Sequence, residues 1–248
     1  MYNADLIVIG AGPAGMSAAH RAAELGLGVL ILDEQPAAGG QIYRNVERAS
    51  AVRSDILGKD YTHGLTLTAG LQHKNITHLK GAVVWQIEDG TRVAFTRNGA
   101  GALAVGHRIL LATGALERPM PVPGWTLPGV MTAGAAQILL KQSGIACQGA
   151  VLVGSGPLLY LIATQMVRAG VPPLALIETQ TTRDLAKSMR HLGGALRGWP
   201  YLVKGLRMLW ELHRAGIARH VGATGIAIEG DQSAQAVTFD IGKTAHRI

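Results

Sequence analysis

The stretch DLIVIGAGPAG, residues 5–15, constrains this chain more than any other segment. An apolar run enters three glycines at fixed spacing, Gly10, Gly12 and Gly15, and continues into an alanine-rich segment that reads as a helix as far as Leu25. Each glycine has its own physical reason. Gly10 permits a tight strand-to-helix turn, Gly12 lets backbone approach a pyrophosphate, and Gly15 lets the helix pack closely on the strand. Pro13 suits the first helical position, where its missing N–H is no loss, so the free amides beside Ala14 and the helix dipole face an anion.

The following residues complete a βαβ unit. A short apolar strand, VLIL at residues 29–32, ends in Asp33 and Glu34. A carboxylate at the tip of the second strand, roughly twenty residues beyond the glycines, is where a ribose diol donates two hydrogen bonds. The sequence predicts a dinucleotide site, with Asp33 or Glu34 as its acid.

The bulk numbers agree with an α/β chain. Hydrophobic residues make up 48% and glycines number 33, which suits many tight strand-to-helix turns. No apolar run approaches the roughly 18 residues of a membrane span, so a cytoplasmic protein with no membrane span is expected. Cys147 is the one cysteine, which excludes an intrachain disulfide, a CxxC redox pair or an iron–sulfur cluster built from these residues. It reads as a small buried hydrophobe before a strand. The nine histidines lack the cysteine or carboxylate company of a metal site, and no metal is expected. The net charge of +7 is concentrated between residues 181 and 220, where Arg183, Lys187, Arg190, Arg197, Lys204, Arg207, Arg214 and Arg219 face only Asp184 and Glu211. These cations alternate with apolar residues at helical spacing, so the patch reads as a solvated helix face. No nucleic-acid motif accompanies it, and no nucleic-acid partner is expected.

The chain then repeats its opening plan. AVLVGSGPLLYLIATQMVRAG, residues 150–170, again gives a strand, a turn at Gly154 and Gly156, a proline at the first helical position (Pro157) and a helix. A strand at residues 174–177 ends in Glu178, in the place of Asp33 or Glu34. Two such units imply two dinucleotide sites. Leu159 stands where the third glycine belongs, so helix and strand are expected to sit further apart and the second site to bind loosely or not at all. Glu178 favours a free ribose over a 2′-phosphate, hence NAD over NADP, unless Arg183 folds back over the site.

Between the repeats, Gly39-Gly40-Gln41 offers backbone freedom and an amide close after the first acid, with Arg44 just beyond. A strand over residues 81–89, including Val84, supplies main-chain groups. A further strand reaches Thr113 and Gly114 before the proline-rich MPVPGWTLPG, which reads as an interdomain linker. The expected division is residues 1–118, a crossing with a helix at 119–148, and a second domain at 149–248.

These residues resemble the two-dinucleotide-domain flavoproteins, the glutathione-reductase-like and thioredoxin-reductase-like enzymes. The resemblance implies an α/β fold: a Rossmann-like FAD-binding domain with an inserted, incomplete NAD(P)-binding Rossmann-like domain. It places the FAD pyrophosphate at Gly10, Gly12 and Gly15 and the ribose at Asp33 or Glu34. Flavin contacts fall on Gly40 and Gln41, and a second FAD contact on Thr113 and Gly114. A narrower likeness lies in DEQPAAGGQIYR (residues 33–44) and LLATGALERPMPVPGWTLPGVMTAGAAQILLK (residues 110–141). These strings are similar to the FAD-containing subunits of the opine oxidase, hydroxyproline dehydrogenase, hydrogen cyanide synthase and sarcosine oxidase alpha-type group. That group works beside a second flavoprotein subunit that oxidises the C–N bond of an amino acid or opine, with electrons passed on through the cofactors.

The departures matter equally. The paired cysteines of the disulfide reductases are missing, so a reduced flavin must discharge to a nicotinamide, a second flavin or a quinone. Members of the group run on to a Gly-Asp element that holds the flavin side of FAD. Here the sequence stops at IGKTAHRI, and Gly230-Asp231 comes too early to serve. A truncated chain with open sheet edges is the expectation, poorly soluble or obligately associated when isolated. The leading reading is an FAD-dependent oxidoreductase subunit, with NAD as an open second cofactor. The alternative is a dinucleotide-binding fragment acting as a scaffold or persisting as a remnant. No side chain stands out as a general acid or base; His107 and Arg44 read as structural or cofactor-facing, and no catalytic residue is assigned.

Overall fold

A computed structural model describes residues 1–248, apart from the side chains of Leu185 and Leu192. The chain divides into two units, one of residues 1–116 with 141–143, the other of residues 117–140 with 144–248.

In the first unit β1 (Tyr2–Ile9), α1 (Pro13–Glu24) and β2 (Val29–Asp33) form the expected βαβ start of a doubly wound fold. They are followed by α2 (Val46–Leu57), α3 (Lys59–Thr62), α4 (Gly64–Gly70) and β3 (Ile76–Lys80). A meander of β4 (Ala82–Glu88), β5 (Arg92–Arg97) and β6 (Ala100–Leu111) completes the unit. The strands lie in the order β3-β2-β1-β6-β5-β4. β1 is parallel to β2, with Ile7 opposite Leu30, and parallel to β6, with Ile7 opposite Ile109. All five residues of β2 are buried, as a parallel strand covered on both faces requires.

One face carries Val8, Val29 and Ile31 under Met16, Ala19 and Ala23 of α1. On the other, Leu30, Leu32 and Leu79 pack against Val93 and Phe95 of the meander. Gly15 makes the first packing possible, since a Cβ there would collide with the Gly10 carbonyl and stand 3.2 Å from Val8 Cγ1. Truncating a fully buried member such as Leu32 to alanine costs about 2–5 kcal/mol.

The second unit contains most of α5 (Ala133–Ser143), then β7 (Val151–Gly154), α6 (Pro157–Arg168) and β8 (Ala175–Glu178). α7 (Thr182–Ser188), a 3₁₀ turn (Met189–His191), α8 (Leu192–Arg197) and α9 (Trp199–Arg214) lead to β9 (Ala218–Val221), β10 (Ala223–Glu229), β11 (Ala236–Ile241) and β12 (Thr244–Arg247). β7, β8 and β9 are parallel, and β10, β11 and β12 form an antiparallel sheet. Leu159 is buried in the core between Leu152, Ile162 and Met166 of β7 and α6 and Leu212 of α9. Its bulk therefore serves helix packing. The proline-rich stretch expected to be a linker is bonded into this unit: Ile228 N donates to Pro123 O and Ala234 N to Pro128 O, both at 2.8 Å. Among the described residues no helix is long and apolar enough to cross a membrane.

Candidate functional site

In the first unit the glycine turn and the Gly39-Gly40-Gln41 segment converge. Gly10 has φ +103°, and a Cβ on it would collide with the Ala112 carbonyl. Gly40, at φ +59°, faces Gly12 so closely that a Cβ would stand 3.0 Å from Gly12 Cα. Gly39 N donates to Ala11 O at 2.8 Å, which ties the two loops together. Gly12 is the N-cap of α1 and supplies no side-chain cap, and Pro13 opens the helix, so the first amides, including that of Ala14, are left for an anion.

The two candidate acids have different tasks. Asp33 is buried, and its carboxylate accepts hydrogen bonds from Ala11 N and, at 2.7 Å, from Gln35 N. It braces the glycine turn. Glu34 is exposed, with Gln35 Nε2 donating to it at 3.0 Å, and is the acid presented outward.

The loop after them is held by a residue that sequence reasoning missed. Lys141, 5% exposed, donates through Nζ to Gln41 O at 3.2 Å and Ile42 O at 2.9 Å. Its ammonium stands 5.7 Å from the Tyr61 ring centroid. Burial, with the charge of Arg44 nearby, pushes its pKa down to about 8. Arg53 Nη2 donates to Lys141 O at 3.1 Å and Asn45 Nδ2 to Gln142 O at 3.2 Å. A lysine in the apolar run AGAAQILLK was the one available signal. Gln41 Nε2 donates to Ala115 O at 3.0 Å, so the Gly-Gly-Gln segment meets the chain just after Thr113 and Gly114. Arg44 is fixed by Gln35 through Nη1 and by Tyr61, whose OH donates to Arg44 O at 2.6 Å. Among the described residues, Arg44 Nε is buried without a hydrogen-bond partner. Val84 lies further off in β4, partly buried against the meander core, where its pair partner is Phe95. His107 is exposed beside Asp5, at 3.3 Å.

The second unit keeps the open helix end: Gly156 caps α6 without a side-chain bond, and Pro157 follows. Gly154 and Gly156 have φ of +152° and +91°. Glu178, expected to accept from a ribose, is instead consumed inside the protein. Its side chain is 0% exposed; Oε1 accepts from Arg219 Nε at 2.7 Å, and Oε2 from Tyr160 OH at 2.5 Å and Gln180 Nε2 at 2.8 Å. Burial pushes this carboxyl up, but the bonds from Arg219, Tyr160 and Gln180 together outweigh it and hold Glu178 below its usual range. The Arg219 guanidinium also lies 5.4 Å from the Tyr160 ring centroid. Arg183 is exposed on α7. These residues do not fit a diol held by Glu178, because a carboxylate with every strong partner supplied by its own unit is not offered to a ligand. No group of three or more His, Cys, Asp or Glu among the described residues could hold a metal.

The pyridine nucleotide-disulphide oxidoreductase family matches residues 4–190. The chain belongs to that family. It is 45% identical over 248 residues to an opine oxidase subunit of Agrobacterium tumefaciens (strain Ach5), covering 96% of this chain and 49% of that protein. It is 35% identical over 240 residues to hydrogen cyanide synthase subunit HcnB of Pseudomonas aeruginosa, covering 94% and 50%. Among solved structures, L-proline dehydrogenase from P. horikoshii superposes with a TM-score of 0.60 at 18% identity, over 99% of this chain and 40% of that one, which shows a shared fold. The chain spans about half the length of the curated relatives it matches. Family membership makes it an oxidoreductase-type fold and points to FAD as the dinucleotide; NAD(P) is also common in the family.

Proposed function

We propose that this chain is the dinucleotide-binding part of an FAD-dependent oxidoreductase subunit, which relays electrons in a cytoplasmic complex oxidising the C–N bond of an amino acid, amine or opine. The single observation that carries the reading is the convergence of Gly10, Gly12 and Gly40 on the uncapped start of α1. Gly10, Gly12, Pro13, Ala14 and Gly15 would receive the pyrophosphate of FAD, and Glu34 the ribose. Gly40, Gln41, Arg44, Thr113 and Gly114 would border the flavin side. The buried, partnerless Arg44 Nε is a donor suited to an oxygen of the cofactor. FAD supplies the electron chemistry, accepting two electrons and releasing them singly or together. The chain's own residues bind and orient it. With Cys147 the one cysteine, a thiol relay in these residues has no second partner. The relatives' names, which mark them as parts of multi-subunit enzymes, support a hetero-oligomer, and the proposed partner is a second flavoprotein subunit.

The visible absorption spectrum of the purified chain, with released flavin identified and quantified, tests this. Stoichiometric FAD supports the reading. No flavin after reconstitution with excess FAD overturns it in favour of a dinucleotide-fold scaffold, the reading favoured by the self-occupied Glu178.

A further inference from the structure

The segment from Thr182 to Arg207 is helical almost throughout, yet none of its described residues is buried; the first buried one is Met208. Helices of this length gain most of their stability by burying an apolar stripe. α9 does so on one side, through Met208 and Leu212, and Arg168 of α6 fixes it by a bidentate pair with Glu211 at 2.7 and 2.8 Å. Its other side carries a second stripe. Trp199, Leu202, Leu206 and Trp210 recur at three- and four-residue steps, and Trp199, Leu206 and Trp210 are 62%, 67% and 59% exposed. Arg214 stacks on Trp210, 4.9 Å from its ring centroid. Exposed tryptophans on a structured helix mark a contact surface, since solvent alone gives no reason to keep them.

We propose that this face of α9, with Met189 and Leu196 exposed in the segment before it, docks an acidic partner subunit. The inference rests on the reading of the chain as one component of a complex. Charge selects the partner: across residues 182–214, Arg183, Lys187, Arg190, Arg197, Lys204, Arg207 and Arg214 meet two carboxylates, and both are engaged, Asp184 in the capping box of α7 and Glu211 with Arg168. A second copy of the chain would bring like charge to like charge. Tryptophan, methionine and an excess of arginine over lysine are what protein interfaces select at their centres. A bilayer could also take up a basic amphipathic helix of the length of α9, 16 residues; the relatives' names, as subunits of larger enzymes, favour a protein partner, and footprinting with vesicles separates the two.

The test uses the complex purified from the native host through a tag on this chain. Hydroxyl-radical footprinting, read by mass spectrometry, compares Trp199, Tyr201 and Trp210 in the complex and in the dissociated chain. The expected result is a stoichiometric partner of net negative charge, at least fivefold protection of Trp199 and Trp210, and at least tenfold weaker retention in an Arg190→Glu/Arg207→Glu variant. Val52→Glu, an exposed change in the other unit, is the control. Footprinting on the wild type keeps the test decisive if the charge variant misfolds. A complex in which both tryptophans stay reactive overturns this surface while leaving the multi-subunit reading intact. Protection by the same polypeptide, by a second copy, or by phosphatidylglycerol vesicles also overturns it. A chain that purifies alone removes both readings.

Discussion

Arg219 Nε stands 2.7 Å from Glu178 Oε1, so the strand-tip acid of the second unit is neutralised from within by a residue of β9. The corresponding acid position of the first unit behaves otherwise: Asp33 braces the glycine turn through Ala11 N, and Glu34 remains outward. Two repeats of one sequence plan have therefore diverged at the acid that ends the second strand of each.

Glu178→Gln is expected to lower the stability of the second unit by about 1–3 kcal/mol, because it removes a charge-assisted bond and leaves the Arg219 guanidinium without its anion. Urea unfolding followed by tryptophan fluorescence measures this. A change below a few tenths of a kcal/mol would show that the network is ornamental.

The same pair gives a pH dependence. Glu178 sits below its ordinary value of 4.5 when folded, so its contribution is complete above pH 4.5 and is lost as pH falls through the lowered folded value. Thermal unfolding between about pH 3 and 6 should show a steeper acid loss for the wild type than for Glu178→Gln. Parallel curves would contradict the assignment.

Binding of nicotinamide dinucleotides follows from the same geometry. Calorimetric titration with NADH is expected to show no saturable binding to the second unit at ligand concentrations up to about 1 mM, a threshold equivalent to about −4 kcal/mol. Saturable binding that Glu178→Gln weakens tenfold would reinstate Glu178 as the ribose acceptor.

The first-unit glycines separate fold from function. Gly12 has an extended backbone, φ −73° and ψ 179°, with its nearest neighbour for a Cβ at 4.0 Å, so Gly12→Ala should keep the fold and lower FAD affinity by tenfold or more. Gly10→Ala meets both a positive φ and the Ala112 carbonyl, and should cost about 1–3 kcal/mol of stability. Equilibrium unfolding and flavin-fluorescence titration on both variants decide the matter.

Lys141→Met removes the two bonds that hold Gln41 O and Ile42 O. FAD affinity should fall about tenfold, the equivalent of about 1.4 kcal/mol, and the amides of residues 39–44 should exchange faster with solvent. Lys141→Arg should retain part of both. Unchanged exchange in the loop would mean that Lys141 does not position it.

Much of this was legible in the residues themselves. GAGPAG, the buried strand VLIL and the repeat at Gly154 and Gly156 specify local geometry, because a positive φ and a close helix-to-strand approach admit few residues other than glycine. The fold class followed from such local rules. The partners of Glu178, the Lys141 brace and the second apolar stripe of α9 did not. They join residues far apart in the chain, as Tyr160, Glu178 and Arg219 are, or depend on which side of a helix its neighbours leave exposed. Sequence spacing determines that a carboxylate stands at a strand tip; only tertiary structure decides whether an arginine from another strand reaches it first.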